Sequence, residues 1–183
     1  TEVWGRYSFL GYEPVMEITC TDGCMKIRRT EEENKEEITK QVAHPGDTLR
    51  EILKEYKSPV MEEMPPFTGG LVGYFSYDYI KYSEPKLKLG EHEDPDFRDM
   101  DLMLFDQVIA FDHYRQKVLL ITGVMLDDLE KSYQKAEKKL QEMADLIRDG
   151  EKEEFPSLKL ASEIKPQFPK EKYCDMVEKA KHY

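Results

Sequence analysis

Alternating apolar and polar residues predict two β-hairpins in this chain. Residues 15–20 (VMEITC) alternate along one strand, and CMKIRR at 24–29 returns after TDG, which is typical of a tight turn. Residues 102–112 (LMLFDQVIAFD) and 117–124 (KVLLITGV) form the second pair, joined by HYRQ. Two further strands are predicted at residues 3–10 and 67–76.

Apolar residues spaced three and four apart predict a helix after the first hairpin. The HPGDT sequence at 44–48 is typical of a helix start, with Asp47 or Thr48 as the capping residue. One face of the following segment carries four apolar side chains: Leu49, Ile52, Leu53 and Tyr56.

A longer helix is predicted after the second hairpin. Asp127 or Asp128 caps its start, and the helix continues to Arg148, where Gly150 ends it. Apolar residues at alternating steps of three and four predict one continuous buried stripe. The stripe comprises Leu129, Tyr133, Ala136, Leu140, Met143 and Ile147.

The stretch PPFTGGLVGYFSYDYIKY combines three glycines with many aromatic rings. Glycine inside a strand usually marks a close approach of another backbone, so the glycines are expected to permit close packing. A short helix is predicted at 77–84, with Tyr77 and Ile80 packing inward. The residues expected to face outward are Asp78, Lys81 and Glu84.

These elements predict an α+β fold, in which antiparallel hairpins are combined with inserted and packing helices. Charged residues at 30–37 predict a loop or hairpin tip, and the acidic, turn-rich residues 84–101 predict a surface loop. The expected organisation is an α+β domain at 1–150, a linker at 151–168 and a further helix at 169–183, where Pro lies near the first turn.

Charge and cysteine content narrow the possible partners. The formal net charge is −11, from 38 acidic and 27 basic residues, and such a surface repels nucleic acid and anionic membranes. Neither is expected as a partner. The 3 cysteines cannot form a complete disulfide framework, and the sequence shows neither a signal-peptide pattern nor an apolar run that could span a bilayer. A cytoplasmic protein with reduced thiols is expected.

The residues alone assign no catalytic group and no metal ligand. Cys20 and Cys24 flank the predicted tight turn, but a zinc site needs about four ligands, and no second Cys pair or nearby His pair supplies them. Strand cysteines are therefore expected. His113 beside Asp112 could form an acid–base pair, yet in a hairpin loop such a pair is more typical of an exposed turn. No dinucleotide, phosphate-loop, zinc-protease or nucleophile-elbow motif occurs.

Three stretches in order resemble the N-terminal region of anthranilate synthase component I. They are WGRYSFLG at 4–11, GGLVGYFSYDYIKYSE at 69–84 and LMLFDQVIAFDHYRQKVLLI at 102–121. PKEKYCDMVEKAKHY at 169–183 is similar to the segment that opens the chorismate-binding domain of that family. The resemblance covers essentially the whole chain, and the ordered set is more specific than any single motif. It implies the N-terminal part of that family's fold.

The resemblance implies a parent carbon–oxygen lyase of tryptophan biosynthesis. This enzyme converts chorismate and ammonia to anthranilate and pyruvate with Mg²⁺, receives ammonia from a glutamine amidotransferase subunit, and is feedback-inhibited by L-tryptophan. The family's catalytic and Mg²⁺ residues lie beyond the equivalent of Tyr183. This chain alone is therefore expected to be inactive, to hold no cofactor, and to reach chorismate only through the absent C-terminal domain. That domain's absence is expected to leave an apolar patch exposed.

By position in the motif, Arg6, Tyr7 and Ser8 are the candidate residues for binding L-tryptophan. An arginine there could pair with the amino-acid carboxylate. The alternative is that Arg6 and Ser8 form the outward face of an ordinary strand.

Two other functions stay open. One is the N-terminal region of aminodeoxychorismate synthase component I, a folate-pathway enzyme of the same superfamily. The other is a non-catalytic amino-acid-binding module. The chain begins at Thr1 rather than Met and ends at Tyr183 inside a predicted helix, so an excerpt of a longer protein is expected.

Overall fold

The fold is an α+β arrangement, as predicted. The computed structural model describes residues 5–30, 36–84, 86–87, 97–151, 155–157 and 159–182. The chain forms two compact units, Thr1–Gly150 and Glu151–Tyr183, within each of which the residues contact mainly one another. Two antiparallel sheets and their helices lie in the first unit.

Within the described residues, the first unit has eight strands in two sheets. The strands are β1 (Tyr7–Leu10), β2 (Met16–Thr21), β3 (Cys24–Arg29), β4 (Glu37–Gln41), β5 (Gly70–Phe75), β6 (Met100–Phe105), β7 (Gln107–Asp112) and β8 (Lys117–Thr122). The five-stranded sheet has the order β4-β3-β2-β6-β5, and the three-stranded sheet has the order β1-β7-β8. Both predicted hairpins, β2–β3 and β7–β8, are confirmed.

One continuous stretch of chain joins the two sheets. The pattern at 102–112 predicts a single strand, but the structure divides it at Asp106 into β6 and β7, which belong to different sheets. The backbone oxygen of Asp106 accepts a 2.7 Å hydrogen bond from the amide of Gly123, and its Oδ2 lies 2.8 Å from Nζ of Lys139. These distant contacts hold the bend, which side-chain alternation does not reveal.

The five-stranded sheet packs against α1, which spans Pro45–Glu55. The N-cap residue is His44, so the prediction of Asp47 or Thr48 is wrong; a proline at the first helical position starts the helix earlier. Leu53 of the predicted apolar face is exposed. The buried core contains Val15, Met16, Ile18, Cys20, Met25, Ile27, Leu49, Ile52, Met100, Leu102 and Leu104.

The long helix α2 spans Leu129–Asp149 between Asp128, whose carboxylate caps its start, and Gly150. Of the predicted stripe, only Ala136 and Met143 are buried. The helix has 21 residues and is about 31 Å long, because each residue adds about 1.5 Å. It contacts β8, whose 6 residues extend only about 20 Å, so the ends of the helix pass beyond the strand. The stripe residues left exposed are Leu129, Tyr133 and Ile147.

The glycine- and tyrosine-rich stretch forms β5 and then a short 3-10 helix, Tyr77–Tyr82. The prediction that Tyr77 and Ile80 pack inward is wrong, because Tyr77 is 88% exposed and Ile80 is also exposed. Tyr79 and Tyr82 pack on the core instead. Residues three apart share one face of a 3-10 helix, which accounts for this pair.

Two glycines in this stretch meet neighbouring backbone closely, as predicted. A Cβ on Gly73 would lie 2.0 Å from the backbone oxygen of Asp101, and a Cβ on Gly69 would lie 2.9 Å from that of Phe105. Gly70 differs, since its Cβ would meet only a side-chain atom, at 3.6 Å. Close packing of β5 on β6 therefore depends on Gly69 and Gly73.

Strand β4 was missed by the sequence prediction, which treated 30–37 as a loop or hairpin tip. Glu37 is its first residue, and residues 31–35 lie outside the described ranges. The strand pairs with β3, but four of its five residues, including Ile38, are exposed, so no buried alternating pattern marks it. The strand predicted at 3–10 is found at Tyr7–Leu10, and residues 1–4 are likewise outside the described part.

Apolar side chains are exposed along β5 and β6. Val72 and Met103 are cross-strand partners, and both are exposed. Tyr74 stacks with Phe97 at 5.5 Å between ring centroids. The sequence predicts an exposed apolar patch where a C-terminal domain would pack. That such a domain packs on these residues stays a prediction.

The second unit contains α3, Lys170–His182. It begins directly after Pro169, so the predicted helix start is confirmed. Tyr173, Met176 and Val177 on this helix are exposed. The proposed role of 151–168 as a linker stays a prediction.

Candidate functional site

The three predicted ligand-binding residues lie beside the turn that follows β7. Arg6 forms a two-pronged ion pair with Asp112, in which Nε lies 3.1 Å from Oδ1 and Nη2 lies 2.7 Å from Oδ2. The backbone oxygen of Arg6 also accepts a 2.8 Å hydrogen bond from the amide of His113. The start of β1 is thereby attached to the end of β7 through both side chain and backbone.

Asp112 is the centre of this cluster, and its side chain is only 4% exposed. Its Oδ1 also accepts hydrogen bonds from the amides of Tyr114 and Arg115, at 3.1 and 3.0 Å. The Arg6 guanidinium, helped by these amides, holds the pKa of Asp112 well below its ordinary value. The carboxylate is therefore ionised at neutral pH and holds the guanidinium of Arg6.

Tyr7 and Ser8 are occupied within the same cluster. The Tyr7 ring stacks with Phe9 at 5.9 Å between centroids, and the Arg6 guanidinium lies 4.8 Å from the Tyr7 centroid. Ser8 Oγ lies 2.7 Å from Nε2 of His113, an exposed side chain. All of these contacts join residues of this chain to one another, so they give no direct support to ligand binding. A ligand role for Arg6, Tyr7 and Ser8 stays a prediction.

A second polar group, the Asp99 cluster, joins the 3-10 helix to the β2–β3 turn. Asp99 is completely buried, and its Oδ2 accepts hydrogen bonds from the Tyr82 hydroxyl and the Asp22 amide, each 2.7 Å long. Lys81 Nζ lies 2.8 Å from Asp99 Oδ1 and 2.7 Å from Asp22 Oδ1. The Gly23 amide donates a 2.7 Å hydrogen bond to the Tyr82 hydroxyl. The cluster comprises Asp22, Gly23, Lys81, Tyr82 and Asp99.

The Asp99 cluster corrects two sequence predictions. The surface loop predicted at 84–101 is wrong at its end, where Asp99 is buried and β6 begins, while residues 85 and 88–96 lie outside the described ranges. Lys81, predicted to face outward, instead binds the Asp99 carboxylate. Burial by itself would raise the pKa of Asp99, but hydrogen bonds from Lys81 and Tyr82 bring it below its ordinary value. Burial and the bond to Asp99 raise the pKa of Tyr82. The charged carboxylate and protonated phenol make this a structural connection rather than a proton-transfer pair.

The structure locates the candidate metal ligands and cysteines among the described residues. No group of three or more His, Cys, Asp or Glu side chains in the described ranges is placed to hold a metal ion. Cys20 pairs across the hairpin with Met25, whereas Cys24 pairs with Thr21, so strand cysteines are confirmed. In the same part of the chain, no helix has the length and apolar content to cross a membrane.

Sequence reasoning missed the two acids that organise these clusters. Asp112 was considered only as a neighbour of His113, and Asp99 only as part of an acidic loop. The one local signal is that each acid lies at the end of an apolar strand: Asp112 is the last residue of β7, and Asp99 directly precedes β6. Acids at strand ends are common, so this signal does not identify their partners.

Comparison with known proteins assigns this chain to a family. The family described as chorismate binding enzyme matches residues 7–183. The chain is 32% identical over its whole length to anthranilate synthase component 1 of Acinetobacter calcoaceticus, covering 36% of that protein. It is 30% identical over 98% of its length to aminodeoxychorismate synthase component 1 of Bacillus subtilis, covering 37% of that protein. The chain thus spans about a third of the length of these relatives.

The fold is also similar to a solved structure. The crystal structure of anthranilate synthase component I from Streptococcus pneumoniae TIGR4 matches 98% of this chain and 38% of its own, with a TM-score of 0.67 and 28% sequence identity. The resemblance inferred from the sequence motifs is therefore confirmed, and it concerns the N-terminal region of these proteins.

Proposed function

The chain belongs to the chorismate binding enzyme family, and we propose that it is the N-terminal scaffold and regulatory part of an anthranilate synthase component I. The observation that supports this most is the match to such a component along the entire chain, at 32% identity. The proposed whole enzyme acts in tryptophan biosynthesis, in the cytoplasm. It converts chorismate and ammonia to anthranilate, pyruvate and water.

In this proposal, the chain itself carries no catalytic residue. Removing the ring hydroxyl of chorismate needs acid–base groups and a metal to polarise oxygen, and Mg²⁺ would supply the latter. Among the described residues, no group of three or more His, Cys, Asp or Glu side chains is placed to hold a metal ion, so we assign the Mg²⁺ ligands to another part of the proposed enzyme. The chain contributes the two-sheet scaffold on which a chorismate-binding domain packs.

Regulation and ammonia supply complete the proposal. A glutamine amidotransferase subunit would provide ammonia to the whole enzyme. L-Tryptophan would bind beside Arg6, Tyr7 and Ser8 and inhibit the formation of anthranilate by the whole enzyme. The competing interpretation is that Arg6 and Ser8 belong only to the fold, and their contacts with Asp112 and His113 give it weight.

The test uses the protein encoded by the complete reading frame that contains this chain. It is mixed with chorismate, ammonium and Mg²⁺, with and without L-tryptophan, and the product is identified by fluorescence and chromatography. Anthranilate that L-tryptophan suppresses is the expected result. The 183-residue chain alone is the matched control and should form none; anthranilate from it would refute the assignment of catalysis to another part of the enzyme.

A second candidate is aminodeoxychorismate synthase component I, which the 30% identity to the Bacillus subtilis protein supports. The same assay separates the two, because aminodeoxychorismate yields 4-aminobenzoate once a lyase is added. Complete absence of product would instead favour a non-catalytic amino-acid-binding module.

A further inference from the structure

This inference rests on the L-tryptophan site of the proposed function. We propose that Asp112 and His113 are positioning residues of that site, and that Arg6 does not bind the carboxylate of the effector. Arg6, Ser8, Asp112 and His113 together form what we call the β1 clasp. The clasp fixes β1 against the turn after β7, so that the Tyr7 ring is held in place for an aromatic amino acid.

The ion pair explains why Arg6 stays with Asp112. Two nitrogens of the guanidinium already bind the two oxygens of this carboxylate. A ligand carboxylate that took Arg6 away would leave Asp112, whose side chain is 4% exposed, with only the Tyr114 and Arg115 amides. Breaking one side of such a part-buried ion pair is unfavourable, because the remaining carboxylate loses its compensating charge. The ligand would have to overcome this cost before gaining any bond.

Aromatic rings further enclose the guanidinium. The Arg6 guanidinium carbon lies 4.8 Å from the Tyr7 centroid and 5.5 Å from the Tyr114 centroid. Cations within about 6 Å of a ring centroid are attracted by its face. Arg6 is therefore held by a carboxylate and by two rings, all from this chain.

Backbone and side-chain contacts place Tyr7 between two fixed neighbours. The Arg6 backbone oxygen binds the His113 amide, and Ser8 Oγ binds His113 Nε2 at 2.7 Å. Tyr7 itself lies directly opposite Asp112 in the β1–β7 register. Loss of the clasp would release β1 on both sides of Tyr7 and so disturb the proposed effector site without removing any ligand contact.

Two substitutions in the complete gene product distinguish positioning from direct binding. Arg6→Lys and Asp112→Asn are compared by calorimetric titration with L-tryptophan. If Arg6 positions, both raise the Kd by a similar factor, at least about tenfold, because lysine cannot reproduce the two-pronged pair and asparagine removes its negative charge. If Arg6 binds the ligand carboxylate, Arg6→Lys raises the Kd while Asp112→Asn, which frees Arg6, leaves it unchanged or lowers it. That pattern, or no change in either variant, would overturn the proposal.

The matched control is Arg28→Lys, because Arg28 also forms an ion pair with a carboxylate, that of Glu17, but lies exposed on the five-stranded sheet. Its Kd should equal that of the wild type. If the wild-type protein itself does not bind L-tryptophan, the effector site of the proposed function fails, and the positioning role fails with it.

Amide hydrogen exchange tests the clasp without any ligand and detects simple misfolding. In Asp112→Asn, the His113 amide should exchange at least about fivefold faster relative to wild type, because local opening costs less free energy. The Gly123 amide, bonded to Asp106 at the far end of the β7–β8 hairpin, should be unchanged. Equal acceleration of both amides would indicate general destabilisation and would contradict a local clasp, as would no acceleration at all.

Discussion

The hydroxyl of Tyr82 donates a 2.7 Å hydrogen bond to Oδ2 of Asp99, a carboxylate with no exposed surface. The same hydroxyl accepts the Gly23 amide, and the same carboxylate accepts the Asp22 amide. One phenol and one carboxylate thus satisfy the two backbone donors of the β2–β3 turn. They connect this turn to the 3-10 helix and to the start of β6, so stability of the five-stranded sheet should depend on them.

Removing this hydroxyl should destabilise the fold. In Tyr82→Phe, the buried Asp99 carboxylate loses a donor and the Gly23 amide loses its acceptor, so we expect the free energy of unfolding to fall by about 1–3 kcal/mol. Urea unfolding followed by circular dichroism measures this. Tyr77→Phe on the same 3-10 helix is the control, and its effect should be near zero because Tyr77 is exposed. Equal effects of the two substitutions would contradict the role given to Tyr82.

A single methyl group on Gly73 should also destabilise the sheet. Its Cβ would lie 2.0 Å from the Asp101 backbone oxygen, so β5 must move away from β6. We expect Gly73→Ala to cost about 2–4 kcal/mol, through steric overlap and an unfavourable backbone conformation. Gly70→Ala is the comparison, because Gly70 has a similar positive φ of 137° against 156° for Gly73, so it shares the backbone cost, but its Cβ meets only Phe67, at 3.6 Å. If thermal unfolding shows Gly70→Ala to be the more damaging change, the close approach of β5 at Gly73 does not control packing.

Two neighbouring lysines on α2, Lys138 and Lys139, should contribute differently to the free energy of unfolding. Lys139 binds Asp106 at 2.8 Å with both side chains largely buried, whereas Lys138 is exposed and lies 3.5 Å from Glu142. Lys139→Met should lower the free energy of unfolding by about 1–2 kcal/mol, because Asp106 loses its cation at the bend between the sheets. Lys138→Met should change it by less than about 0.5 kcal/mol. Chemical denaturation of both variants provides the comparison, and similar values would argue against Lys139 holding this bend.

Acid should remove the contribution of the Arg6–Asp112 pair. The Arg6 guanidinium lowers the pKa of Asp112 below about 3.9, the ordinary value of an aspartate in an unfolded chain. The pair therefore stabilises the fold fully above this pH, and its contribution is lost as the pH falls from there through the folded pKa. The difference in unfolding free energy between wild type and Asp112→Asn should be constant at about pH 5–7 and shrink below about pH 4. A difference that persists unchanged at about pH 2 would contradict this assignment.

Local sequence patterns determined the hairpins and most of the helices. TDG between two alternating strands determined the β2–β3 turn, and Asp128 and Gly150 determined the ends of α2. The interactions involved join residues only a few positions apart, so they are present in any short segment of the chain. The ordered motifs also identified the family, since their residues and spacing can be read directly from the sequence, without any knowledge of tertiary contacts.

Tertiary structure alone decided how much of each predicted apolar face is buried and which charged side chains are buried. Arg6 and Asp112 are 106 residues apart, and Asp22 and Asp99 are 77 apart, so no local pattern links them. The same holds for Lys139 and Asp106, whose contact lies at the division of residues 102–112 into two strands. Tyr82 turns inward because its hydroxyl donates a hydrogen bond to the buried Asp99 carboxylate and accepts one from the Gly23 amide, and both partners are distant in sequence. Such pairings gain free energy only once the sheets have assembled, because assembly brings the partners together and excludes water from them.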